Sequence, residues 1–161
     1  MSSNAEMVRE FTIKTGNECP EHPRVMTKDE VKFLVNMMVS EIAELAQTVC
    51  DNNEEVVQMI KDAAHIDLNE YKKPDSDYEL IADQADAVVD CWYYGLNAFA
   101  KTGVNLSSVF DVVHDANMKK IFPDGTVHKR ADGKIIKPDY WSPPNINAEI
   151  VNQVLCGSFS I

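Results

Sequence analysis

The sequence predicts an all-α fold: a bundle of four to five helices, closed by a short C-terminal β-hairpin and an extended tail. Three observations predict it. Apolar residues recur at three- and four-residue spacing through most of the first 120 positions, the period of a helix with one buried face. Capping signals stand at the starts of those runs. After Lys120 the period is lost, and Asp132-Gly133 sits between two short stretches, Thr126–Arg130 and Lys134–Ile136, a hairpin signal.

In order along the chain, Ser3 and Glu6 have capping-box spacing, and Met7, Val8 and Phe11 follow at helical intervals as far as Gly16. A Cys-Pro-Glu-His-Pro loop separates this helix from a second, stronger one. Thr27 and Glu30 form its capping box, and Val31, Leu34, Val35, Met38, Ile42, Leu45 and Val49 its apolar stripe. Asn53 is the expected cap of a third helix, with Val56, Val57, Ile60, Ala63 and Ala64 on one side. Positions 67–77 are polar, contain Pro74, and read as a linker.

The run Tyr78–Lys101 is apolar enough to be the central helix, yet it carries Asp83, Asp86 and Asp90. At about 100° per residue these carboxylates fall within roughly 60° of one another. Carboxylates removed from water without partners are costly, and like charges this close raise one another's pKa. Such a stripe faces solvent or holds a cation. Gly103 closes the helix, and Asn105 or Ser107 opens the next. Leu106, Val109, Phe110 and Val113 define its inward face, which Asn117 and Lys120 extend and from which Asp111 and His114 project away. Pro138, Pro143 and Pro144 impose an extended segment before a weak helix from Asn147 to Leu155.

The chain reads as a single domain of 161 residues, with a core over about 27–121 and a basic hairpin and tail over 122–161. Its net charge of −11 argues against nucleic acid or an anionic membrane as partner, because both reward a basic surface. No apolar run is long enough to span a bilayer. The cysteines at 19, 50, 91 and 156 form no C-x-x-C pair. Cys50 and Cys91, in apolar helical contexts, are expected to be buried free thiols, which places the protein in a reducing, cytoplasmic compartment.

Two acidic pairs carry the chemistry, Glu41/Glu44 and Asp83/Asp86, each three residues apart and so on one helix face. Oxygen donors of this kind suit a hard divalent ion, Mg²⁺ with Mn²⁺ as a substitute, and not zinc. Of the fifteen basic residues, six lie between positions 119 and 137: Lys119, Lys120, Lys129, Arg130, Lys134 and Lys137. An acidic metal cradle with a basic clamp suits phosphoryl chemistry. The competing readings are ordinary solvated helix faces and a di-iron bundle. The latter needs carboxylate-x-x-His on two helices, a spacing met by Asp62/His65 and Asp111/His114, although Asp111 projects off its inward face.

The segments Ser40-Glu41-Ile-Ala-Glu44, Asp83-Gln-Ala-Asp86, Asn117-Met-Lys-Lys120 and Gly133-Lys134-Ile-Ile-Lys137-Pro138, in this order, resemble the all-α nucleoside triphosphate pyrophosphohydrolases. These form the MazG-like and phosphoribosyl-ATP pyrophosphohydrolase-like superfamily. The resemblance covers roughly Val8 to Pro144. It implies Mg²⁺-dependent hydrolysis of a nucleoside triphosphate between its α and β phosphates, as in clearing non-standard or surplus nucleotides. By matching positions, Glu41, Glu44, Asp83 and Asp86 are the implied metal ligands, with Asp90 or one of these carboxylates as proton acceptor. Asn117, Lys120, Arg130, Lys134 and Lys137 are the implied phosphate contacts. A homodimer or dimer of dimers is also implied, with helices of paired subunits completing the site. Ser40 and Asp83 stand where the pattern has glutamates, and the connection between the acidic pairs is longer than usual. These departures keep open a non-catalytic module that binds a nucleotide or a protein partner.

Overall fold

The computed structural model describes residues 3–66, 70–130 and 135–159. Among these it has six helices: α1 (Asn4–Lys14), α2 (Lys28–Gln47), α3 (Asn53–Ala63), α4 (Asp77–Lys101), α5 (Leu106–Met118) and α6 (Ile146–Cys156). The helix starts follow from local chemistry. Ser3 and Thr27 each accept from the backbone N–H three residues on, and Glu6 and Glu30 return the bond, so both capping boxes form. Asn52, not Asn53, caps α3, its side chain accepting from Glu55 N at 2.9 Å. Asn105 and Asn145 do the same for α5 and α6. Gly103 ends α4 at φ +80°, a left-handed conformation that glycine adopts freely. Val104 N bonds back to Phe99 O at 3.0 Å across it, the closing bond of a Schellman turn.

The chain forms two compact units, Pro23–Ala87 and Met1–His22 with Val88–Ile161. In the first, α2 packs on α3. A two-bond strap also joins Met26, just ahead of the Thr27 cap of α2, to α4: Met26 N donates to Gln84 Oε1 at 2.8 Å, and Gln84 Nε2 donates to Met26 O at 3.2 Å. In the second unit α5 packs between α1 and α6. Gln153 of α6 is buried there. It accepts from Asn105 N at 2.9 Å and donates to Asn105 O at 3.1 Å and Ser108 Oγ at 3.0 Å, so its polar atoms are satisfied on leaving water.

Four expectations need correction. The C-terminal hairpin is not present as a ladder: there is no strand among the described residues, only an isolated antiparallel bridge between Lys129 and Ile135. Pro138, which lacks an N–H, stops pairing within three residues of that bridge. The Asp132-Gly133 turn itself lies outside the described residues. His114, expected to project away, is 7% exposed and stacks on Phe110 with ring centroids 5.9 Å apart. With α1 and α6 both against α5, the buried arc is wider than one stripe and takes in the position four residues after Phe110. Cys91 is an exposed free thiol and Cys50 is half-buried. Finally, α4 buries none of its residues; Trp92 and Leu96 only line an open apolar pocket with Leu106, Val109, Phe110 and Val113 of α5.

Candidate active site

Glu41 and Glu44 occupy successive turns of α2, and Asp83, Asp86 and Asp90 those of α4. All five are exposed. Glu41, Glu44, Asp86 and Asp90 neither hydrogen-bond nor ion-pair with any described residue. Asp83 differs, because Tyr71 Oη donates to its Oδ2 at 2.8 Å. That bond to a carboxylate stabilises the protonated phenol and holds the Tyr71 hydroxyl above its usual pKa. Ser40 is turned into its own helix, its hydroxyl donating to Met37 O at 2.7 Å. Among the described residues no group of three or more His, Cys, Asp or Glu gathers to hold a metal ion. Among the described residues the acidic side chains therefore stand as pairs, not as a closed cradle.

The pairs are nonetheless fixed in direction. Gln84, between Asp83 and Asp86, is held at both ends of its amide by the Met26 backbone, which sets the rotation of α4 at the turn bearing both carboxylates. The start of α2 is held in turn by Glu30. Its carboxylate accepts from Arg24 Nη1 at 2.9 Å and Arg24 Nη2 at 2.5 Å and closes the capping box. The guanidinium first, then the Thr27 backbone and hydroxyl bonds, lower its pKa to about 2.

The basic residues form a second constellation in the other unit. Lys120 Nζ donates to Asn117 Oδ1 at 2.6 Å and lies 5.8 Å from the centre of the Trp141 ring, while Lys137 Nζ sits 3.9 Å from that centre. Trp141 is anchored by its Nε1, which donates to Ala116 O at 2.7 Å. Partial burial, and then the Lys137 charge, push the Lys120 pKa down. The structure thus brings Asn117, Lys120 and Lys137 around one indole. Arg130 is exposed, and Lys134 lies outside the described residues.

Sequence reasoning missed Tyr71 and Gln84 as parts of this arrangement. A Gln between two aspartates and a Tyr in a polar linker carry no spacing signal. Only the 58- and 12-residue separations bridged by their hydrogen bonds reveal them.

The chain is similar in structure to a candidate NTP pyrophosphohydrolase from Exiguobacterium sp. 255-15. The TM-score is 0.80 with 24% identity, over 96% of this chain and 97% of that one, a likeness of fold. No curated protein matches it in sequence. The profile of the family described as phosphoribosyl-ATP pyrophosphohydrolase matches residues 8–117. That span is more than half of the chain and contains both acidic pairs. By this match the chain belongs to the phosphoribosyl-ATP pyrophosphohydrolase family, hydrolases of phosphoric anhydrides.

Proposed function

We propose that the protein hydrolyses a nucleoside triphosphate between its α and β phosphates, with Mg²⁺ or Mn²⁺ held by Glu41, Glu44, Asp83 and Asp86. The observation that carries this reading is the pair of carboxylate pairs, exposed and largely unpartnered, within the span matched by a pyrophosphohydrolase family. The donors fit the ion: all are hard oxygens, and three of the four have no protein partner to give up on binding. When bound, the ion supplies Lewis-acid stabilisation of phosphate charge and water activation at neutral pH. The chain's own residues do the rest. The acidic pairs fix the ion's position, and Asp90, one turn beyond Asp86, accepts the proton of the attacking water. Asn117, Lys120, Arg130, Lys134 and Lys137 bind phosphate oxygens, and the Trp141 ring keeps the Lys120 and Lys137 ammonium groups converged.

The working form is a homodimer or dimer of dimers. In support, α2 buries only Ala46 and exposes Val31, Phe33, Val35, Ile42 and Leu45, while α4 exposes Val88, Val89 and Trp92. Covering what each such side chain still exposes gains about 1 kcal/mol, roughly half the value for full burial, and obligate subunit interfaces cover surfaces of this kind. A second copy also supplies the further carboxylates that one chain does not bring together.

The test is pyrophosphate release from a panel of ribo-, deoxyribo- and modified nucleoside triphosphates, with phosphoribosyl-ATP included, in the presence of Mg²⁺. Release from at least one substrate, abolished in Glu44→Gln, is the expected result. No release from any, together with wild-type Mn²⁺ binding by Glu44→Gln, overturns the reading. One observation favours a non-catalytic nucleotide-binding module instead: Ser40 supplies no carboxylate and is committed to Met37 O. That module raises its Tm with nucleotide but turns none over.

A further inference from the structure

Tyr71 lies in the polar segment ahead of α4, twelve residues before the aspartate it bonds. Pro74 disfavours helical conformation at Lys73, residues 70–76 lie outside any helix, and Tyr71 reaches the second turn of α4 from there. The residue is 62% exposed. Burial therefore does not force the bond, since water could serve the same hydroxyl. What the contact does is asymmetric. Tyr71 Oη occupies Asp83 Oδ2 at 2.8 Å and leaves the lone pairs of Oδ1 open, so the free oxygen is aimed in a set direction. Outer hydrogen bonds that orient a ligating carboxylate in this way commonly set metal affinity. An aspartate on an exposed helix face, with no other protein partner, has little else to fix its rotamer.

We propose that Tyr71 is a positioning residue that orients the Asp83 carboxylate for a divalent cation. The inference rests on Asp83 being a metal ligand, as in the proposed function. Residues 70–76 then act as an arm that carries an orienting hydroxyl to the site. A purely structural Tyr71 would tack this connection to α4 and leave cation affinity alone.

Mn²⁺ binding separates the two, followed by the paramagnetic resonance of the free ion, on the full-length wild type, Tyr71→Phe, Asp83→Asn and the double variant. Tyr71→Phe is expected to weaken Mn²⁺ binding about tenfold, the low end for loss of an outer-shell partner, with helicity unchanged. The apparent KM for Mg²⁺ rises correspondingly, and kcat recovers at saturating Mg²⁺. The double variant binds no more weakly than Asp83→Asn alone, because the hydroxyl acts through that carboxylate. If Asp83→Asn binds Mn²⁺ as the wild type does, Asp83 is no ligand, and the proposal falls together with that part of the proposed function. If Asp83→Asn weakens binding while Tyr71→Phe does not, or if the two effects add in full, only the positioning role is overturned.

Discussion

Helices α4 and α5 are both rich in apolar residues, yet one is covered and the other is not. The thirteen residues of α5 lie between α1 and α6 and include buried His114 and Ala116. The twenty-five of α4 include no buried residue, with Val89 at 53% and Trp92 at 56% exposure. An apolar helix face states that something must cover it; it does not state whether the cover is on the same chain. For α5 the cover is α1 and α6. For α4 the proposed cover is a second copy.

The comparison breaks most sharply under a charge placed on each helix. If α4 is covered in an assembly, Val89→Asp buries an uncompensated carboxylate and costs about 3–5 kcal/mol. It would convert the oligomer to monomer in sedimentation and abolish the concentration dependence that the assembled wild type shows in its thermal transition. If α4 faces water, the same change stays within about 0.5 kcal/mol, and the assembly reading fails.

The next largest effect concerns the polar side of the same helix. Asp86→Asn, and Glu44→Gln on α2, are expected to lower pyrophosphate release by more than about a hundredfold, beyond the usual outer-shell loss. Circular dichroism should be unchanged, since both side chains are exposed and unpaired. Equal losses of helicity and rate would show that these carboxylates serve folding instead.

Smaller again is Trp141→Ala, which probes the covered region. It removes the bond to Ala116 O and the ring beneath Lys137, each worth about 1 kcal/mol. A loss of about 2 kcal/mol in urea unfolding is expected, and inorganic pyrophosphate should then bind more weakly.

The smallest effect is a change in pH profile at Glu30. Its folded pKa of about 2 lies below the ordinary 4.5, so its stabilisation is present above pH 4.5 and is lost as the pH falls towards 2. Glu30→Gln should be less stable than wild type at neutral pH. That difference should shrink through the acid range in thermal melts.

Much of the fold was legible because its signals are local. The capping boxes at Ser3/Glu6 and Thr27/Glu30, the glycine at 103 and the stripe of α5 each act within one or two turns. The acidic pairs were legible for the same reason, being fixed by i, i+3 spacing. What escaped depends on neighbours distant in sequence. The stripe at Leu106, Val109, Phe110 and Val113 shows one inward face but not that two helices share it, so His114 was misplaced. The Asp-Gly signal promised a hairpin, but among the described residues its two flanks meet only at the Lys129–Ile135 bridge. Cys91 looked buried because its helix is apolar, which confuses a need for cover with its presence in the same chain.

Two ammonium groups held against one indole ring have a consequence for proton balance. Lys120 is kept below its ordinary pKa by partial burial and by Lys137. A polyanion arriving between them reverses the second cause and raises that pKa. Binding at alkaline pH must therefore draw protons from solution, and its heat will vary with the ionisation enthalpy of the buffer. The acidity of the medium becomes a partner in recognition, in a protein whose net charge of −11 would otherwise repel such a ligand.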